Sequence, residues 1–116
     1  MKSLLLALMA LSVTANAMAG ELASGAQITS SISGKTVQGS MEASGAYTEY
    51  YAADGSIRGN GYTGKWHVTD RAMCFTYGED PADCWGVRID GANVAWMKDG
   101  VAGGTGTIVD GNPNGF

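Results

Sequence analysis

One histidine, two cysteines and eleven acidic side chains are the groups with enough reactivity to weigh first. To act as a general base, His67 would need a nucleophile and an orienting acid. It falls in Lys65–Thr69, where Trp66 and Val68 alternate with Lys65, His67 and Thr69, so it belongs on the polar, solvent-facing side of a strand. The chain has no HxH, HExxH or CxxC spacing and no DxDxDG loop, so neither a metal site nor a cofactor is expected. A carboxylate pair for glycoside cleavage could be drawn from Glu42, Glu49, Asp54 or Asp70, but sequence does not set their separation, and no catalytic residue is assigned. Gly103-Gly104-Thr105-Gly106-Thr107 lacks the lysine and the strand-to-helix context of a phosphate loop. It fits better as small residues where strands approach closely or a barrel interior keeps room.

The cysteines carry more information. If Cys74 and Cys84 face each other across a hairpin, Met73 faces Trp85 and Phe75 faces Asp83. Side-chain alternation then sorts Met73, Phe75, Tyr77, Trp85, Val87 and Ile89 onto one face, and the cysteines with Thr76, Gly86 and Arg88 onto the other. A disulfide that staples two strands is expected, with no redox role. Tyr47, Glu49 and Tyr51 also share a strand face, while Tyr50 lies on the other. One of these faces should be core; the other would leave aromatics exposed, beside a carboxylate if it is the Tyr47–Tyr51 face, suited to sugar stacking or a protein contact. Tyr47, Tyr51, Arg58, His67 and Arg88 are the candidate contacts for a ligand or partner.

The elements that must position these groups are short. Residues 1–19 read as a signal peptide. Lys2 precedes an apolar run, Leu4 to Leu11, with a cut after Ala17 or Ala19, and the run falls short of the roughly 20 residues that span a bilayer. Residues 20–34 form a short helix or lead-in, capped by Ser24 and stopped by Gly34, with Ile28 and Ile32 on one face. A β domain occupies 35–110 and a tail 111–116. Its strands are expected at 35–39, 46–53, 56–62, 65–69, 72–77, 83–90, 92–98 and 101–109, with Asp-Gly at residues 54, 90, 99 and 110 marking turns or ends. The chain carries a net charge of −4, and loss of Lys2 with the leader makes it one unit more negative. Nucleic acid and anionic membrane surfaces are therefore not expected partners.

The order GKTVQG, EYYAADGSIRG, GKWHV, MCF and CW resembles a family of small exported proteobacterial proteins of unknown function with a GxW…C…C pattern. The resemblance runs from about Gly34 to Asp90 and rests on Asp54-Gly55, Gly64, Trp66, Cys74 and Cys84. It implies a compact β-barrel-like domain exported from a Gram-negative cell, and no activity.

The expected fold is all-β: an antiparallel meander of about eight strands forming a small calycin-like barrel or half-barrel, its helix against one opening. An open sandwich is the alternative. Ile57, Trp66, Val68, Met73, Phe75, Trp85, Val87, Ile89, Val94, Trp96 and Ile108 should point inward. The leading functional expectation is a periplasmic or secreted, non-catalytic binding module for a small apolar or aromatic ligand. The second is an interaction protein, such as an inhibitor of a cell-wall-degrading enzyme, that uses the acidic loop Gly78–Asp83 and has a filled interior. An enzyme ranks third, and would require His67 in a cleft against a carboxylate or hydroxyl.

Overall fold

Asp-Gly pairs set the turns. Gly55, Gly91, Gly100 and Gly111 all hold positive φ, and at Asp99-Gly100 both residues do, at 52° and 79°, as a two-residue type I′ hairpin requires. In the computed structural model, which describes residues 21–116, these turns link one helix, α1 (Gly25–Ile32), and eight strands. The strands are β1 (Lys35–Met41), β2 (Gly45–Tyr51), β3 (Ser56–Gly59), β4 (Tyr62–Val68), β5 (Met73–Thr76), β6 (Asp83–Asp90), β7 (Asn93–Lys98) and β8 (Val101–Asp110). The signal peptide expected at residues 1–19 lies outside the described residues.

Each strand pairs antiparallel with the next, and β8 returns to pair with β1 from Lys35↔Asp110 to Met41↔Gly104. The barrel is therefore closed, rather than a half-barrel or sandwich, with its shortest ladder between β2 and β3, where only Tyr50 and Tyr51 pair.

Most strand ends shift by one or two residues from the expectation, and two differences go further. Ser56–Tyr62 is not one strand: the chain reverses at Asn60-Gly61, so Gly59 pairs with Tyr62 and Ile57 with Gly64. The Asn-Gly pair is a strong hairpin former, masked in the sequence by glycines on either side. Its consequence reaches the site, because Tyr62 now begins β4 and shares a face with Trp66. Strand β1 also runs on through Ser40 and Met41, which leaves Glu42–Ser44 as the connection to β2.

The cysteine register is the expected one. Met73↔Trp85, Cys74↔Cys84 and Phe75↔Asp83 are cross-strand pairs, and the two cysteines are bonded with their Cα atoms 3.9 Å apart. Closing a loop with a sequence separation of 10 contributes about 2–3 kcal/mol in the chain-entropy account. Reduction should therefore lower the melting temperature by roughly 10 °C or more. Circular dichroism melts with and without reductant measure this, and coincident curves would mean that the staple adds no stability.

All eleven residues expected inward join the core. Ile57, Trp66, Met73, Phe75, Val87, Ile89, Val94 and Trp96 are buried, with Val68, Trp85 and Ile108 partly buried against them. Helix α1 closes one end of the barrel. The Ser24 hydroxyl accepts from the Gln27 amide at 3.1 Å, and Ile28 and Ile32 are fully buried, which stabilises the plug by about 1.5–3 kcal/mol for each isoleucine. The Gly25 amide donates to the Asp70 carbonyl and the Gly34 amide to the Tyr51 carbonyl, both at 2.7 Å, which ties the helix to the β4–β5 turn and the end of β2. Up-and-down topology puts the β1–β2, β3–β4, β5–β6 and β7–β8 connections at the opposite end.

Candidate ligand site at the open end of the barrel

That opposite end is open. A cavity of about 650 Å³ opens there beside the β1–β2 connection, walled by Met41, Tyr47, Tyr51, Tyr62, Phe75, Tyr77, Trp85 and Trp96, with Glu49 among them. Room for it comes from the glycines of β8. A Cβ on Gly106 would strike the Tyr47 hydroxyl and lie 2.7 Å from Val37 Cγ1, and one on Gly103 would lie 2.8 Å from the Trp85 ring. The register shifts beside Trp96 and Met97, where Trp96 pairs with Gly104 and Met97 with Ala102. Gly103 is the extra residue of that bulge, and it brings the strand close under Trp85.

Glu49 is the unexpected group. The Tyr47–Glu49–Tyr51 face of β2 is the inward one, so the carboxylate lies inside the barrel and not on an exposed surface, with 7 % of its area accessible. Cross-strand pairing forces this: Tyr51 sits opposite Ile57, which is fully buried, and Glu49 lies two residues along on the same face. Burying a carboxylate costs several kcal/mol unless its oxygens are satisfied, and here three phenols satisfy them. Tyr51 donates to Oε1 at 2.6 Å and Tyr62 to Oε2 at 2.6 Å, while Tyr77 reaches both oxygens at 3.0 and 2.8 Å. The two shortest contacts fall in the range of hydrogen bonds to an ionised acceptor.

These phenols are held in their protonated form. Burial raises the pKa of Tyr51, Tyr62 and Tyr77 well above the usual value near 10, and the charge of Glu49 and the hydrogen bond to it push further in the same direction. Tyr47 is raised more modestly, again by burial first, because its oxygen also accepts from Trp96 Nε1 at 2.7 Å. It donates in turn to the Thr105 carbonyl at 3.0 Å. Aromatic edges lock the walls: Tyr51 meets Phe75, Phe75 meets Trp96, and Tyr62 meets Tyr77, all edge to face at 5.4–6.1 Å between centroids.

At the rim, Asp83 forms an ion pair with Lys98 and accepts from Trp85 Nε1 at 3.1 Å. The hydrogen bond from Lys98 holds the Asp83 carboxyl below the usual carboxylate range. The Lys98 ammonium also stands 4.3 Å above the Trp85 ring, so the three side chains clasp β6 to β7 at the lip.

Of the five candidate contacts, the structure brings together only Tyr47 and Tyr51. Arg58, His67 and Arg88 lie on outward-facing positions and line no part of this cavity. Arg58 extends over Tyr50 at 5.9 Å. His67 is exposed opposite Cys74, so the histidine-centred arrangement weighed from the sequence does not form. Arg88 is half buried opposite Ala95, its Nε without a hydrogen-bond partner. In each case alternation decides: Ile57, Trp66 and Val87 point inward, so their neighbours point out. Sequence reasoning missed Glu49, Tyr62 and Tyr77 as a group. Two signals could have found them, namely the Asn60-Gly61 turn and the buried partner of Tyr51. Among the described residues no cluster of three or more metal-ligating side chains occurs, and no helix is long and apolar enough to cross a membrane.

The fold and the site together define a class: a small disulfide-bonded, eight-stranded meander barrel, plugged by a helix at one end and open at the other into an aromatic cavity around a carboxylate. Comparison with protein-family models, with curated proteins and with solved structures finds no match.

Proposed function

We propose that this chain is an exported, non-catalytic binding module that takes a small ligand with an aromatic or apolar body into the open end of its barrel. The single observation that carries this is the cavity of about 650 Å³ walled by seven aromatic side chains, well inside the range of volumes that hold small ligands. Export to the periplasm or the medium is supported by the leader-like N-terminus and by the disulfide, which persists in oxidising compartments. The resemblance to small exported proteobacterial barrels fits the same reading. The alternative of a protein-interaction module called for a filled interior; the open cavity favours a ligand. The exposed Glu79 and Asp80 beside the mouth are better understood as part of its rim.

Tryptophan emission tests the proposal. Trp85 and Trp96 line the cavity, whereas Trp66 lies outside its lining, with its Nε1 bonded to the Ala52 carbonyl at 2.9 Å. A small aromatic ligand should change the emission saturably. Trp96→Phe should remove much of that change, and Trp66→Phe should retain it. The absence of a saturable change at millimolar ligand for cationic, neutral and anionic aromatics alike would end the proposal.

A further inference from the structure

The charged side chains that line the cavity are Glu42, Glu49 and Asp83; no lysine, arginine or histidine lines it among the described residues, and Lys98 stands at the lip over Trp85. Asp83 is paired with Lys98, and Glu42 is exposed to water in the β1–β2 turn. Glu49 differs from both, because it is buried and every partner given to it is a neutral phenol. Phenols share its charge without cancelling it. The inner wall therefore keeps a negative potential inside a low-dielectric surround, where charge acts over longer distances than in water.

The geometry also states how a cation would be received. Three phenolic protons, that of Tyr77 shared between the two oxygens, take up most of the carboxylate's acceptor sites, so a ligand meets the phenols before it meets Glu49. A phenol that donates to an anion turns its own lone pairs away from it, and the O–H···O⁻ bond polarises that oxygen into a stronger acceptor. Tyr62 and Tyr77 line the cavity and carry two such oxygens, with their rings 6.1 Å apart.

Resting on the ligand-binding reading above, we propose that the mouth selects an organic cation, an aryl-alkyl ammonium. Its N–H groups meet the phenolic oxygens of Tyr62 and Tyr77 over Glu49, and its apolar body lies against Phe75, Trp85 and Trp96. The aromatic faces attract the same charge, since a ring presents its negative face to a cation. A ligand carboxylate would meet Glu49 uncompensated and should be rejected.

The test uses three probes of nearly equal size on the full disulfide-bonded protein: phenethylamine, 2-phenylethanol and 3-phenylpropanoate, titrated by calorimetry and tryptophan emission. The amine should bind about 10-fold or more tightly than the alcohol, with the propanoate weakest. Added salt should weaken the amine and leave the alcohol unchanged. Glu49→Gln should bring amine and alcohol to the same affinity. Should that variant fail to fold, Tyr62→Phe at the rim serves instead and should lower amine affinity several-fold while sparing the alcohol. Equal binding of amine and alcohol to the unaltered protein, or a preference that survives Glu49→Gln, overturns the cation proposal and leaves the cavity a neutral-ligand site. Failure of all three probes to bind overturns the ligand-binding reading itself.

Discussion

Gly39→Val is expected to prevent the barrel from closing. Gly39 sits midway along the β1–β8 seam, opposite Gly106 on one side and Tyr47 on the other. A Cβ there would overlap the Thr105 carbonyl oxygen and lie 2.5 Å from Gly106 Cα. Both obstacles are backbone, so no rotamer change relieves them, and β1 and β8 must separate. Overpacking a core typically costs 1–3 kcal/mol. Parting the ladder that joins first strand to last should exceed that, to roughly 4 kcal/mol or more, because it reopens two strand edges. For a domain of this size the melting temperature should drop by about 15 °C or more, or the variant should not fold. Gln38→Ala, at an exposed position one residue away, is the control and should melt with the parent. A Gly39→Val protein that melts within a few degrees of the parent would mean that the seam tolerates a side chain, and that closure is not what these glycines secure.

Alkaline unfolding is the second large effect expected. In the unfolded chain the phenols ionise near 10. In the folded protein Tyr51, Tyr77, Tyr62 and Tyr47 all hold their protons to higher pH, each because burial disfavours the phenolate, with the charge of Glu49 adding to it. Their folded pKa values lie above the unfolded one, so the stability they contribute is complete below pH 10 and is lost as pH rises from 10 toward the folded values. Above pH 10 the unfolded chain releases protons that the folded chain keeps. Tyr51, almost wholly buried, should alone cost about 1.4 kcal/mol per pH unit in that window. The other three add less apiece, since solvent screens their more open positions. A steep loss of structure above pH 10 should follow, with the ultraviolet absorbance of these phenolates rising together with unfolding. Tyr51→Phe should make the decline shallower. Phenolate absorbance that climbs fully while the circular dichroism stays native would refute the account.

Much of this architecture was legible before any coordinates. Asp-Gly turns act through two or three residues of local backbone, so their positions announced themselves, and strand alternation around Cys74 and Cys84 sorted the rings of Trp85 and Phe75 correctly. The Ser24 cap and the Ile28–Ile32 face were likewise local. Asn60-Gly61 was equally local but lay among glycines that also suit a strand interior, and misreading it put Tyr62 on the wrong strand. Alternation had already set His67 on the solvent side and Arg88 on the face away from Trp85 and Val87, and the structure keeps both there; with Arg58 they were singled out as contacts for their chemistry, which does not bring a residue to the cavity.

Sequence by itself determined the strand number, the staple, the plugging helix and the eleven residues that face inward, because periodicity and turn chemistry are short-range. Tertiary structure decided that the barrel closes and that one end stays open. It also decided that Glu49 meets the hydroxyls of Tyr51, Tyr62 and Tyr77. Those phenols come from β2, from β4 and from the residue just past the end of β5, and they converge only once these segments curve around a common interior; a buried charge finds its partners through space, not along the chain.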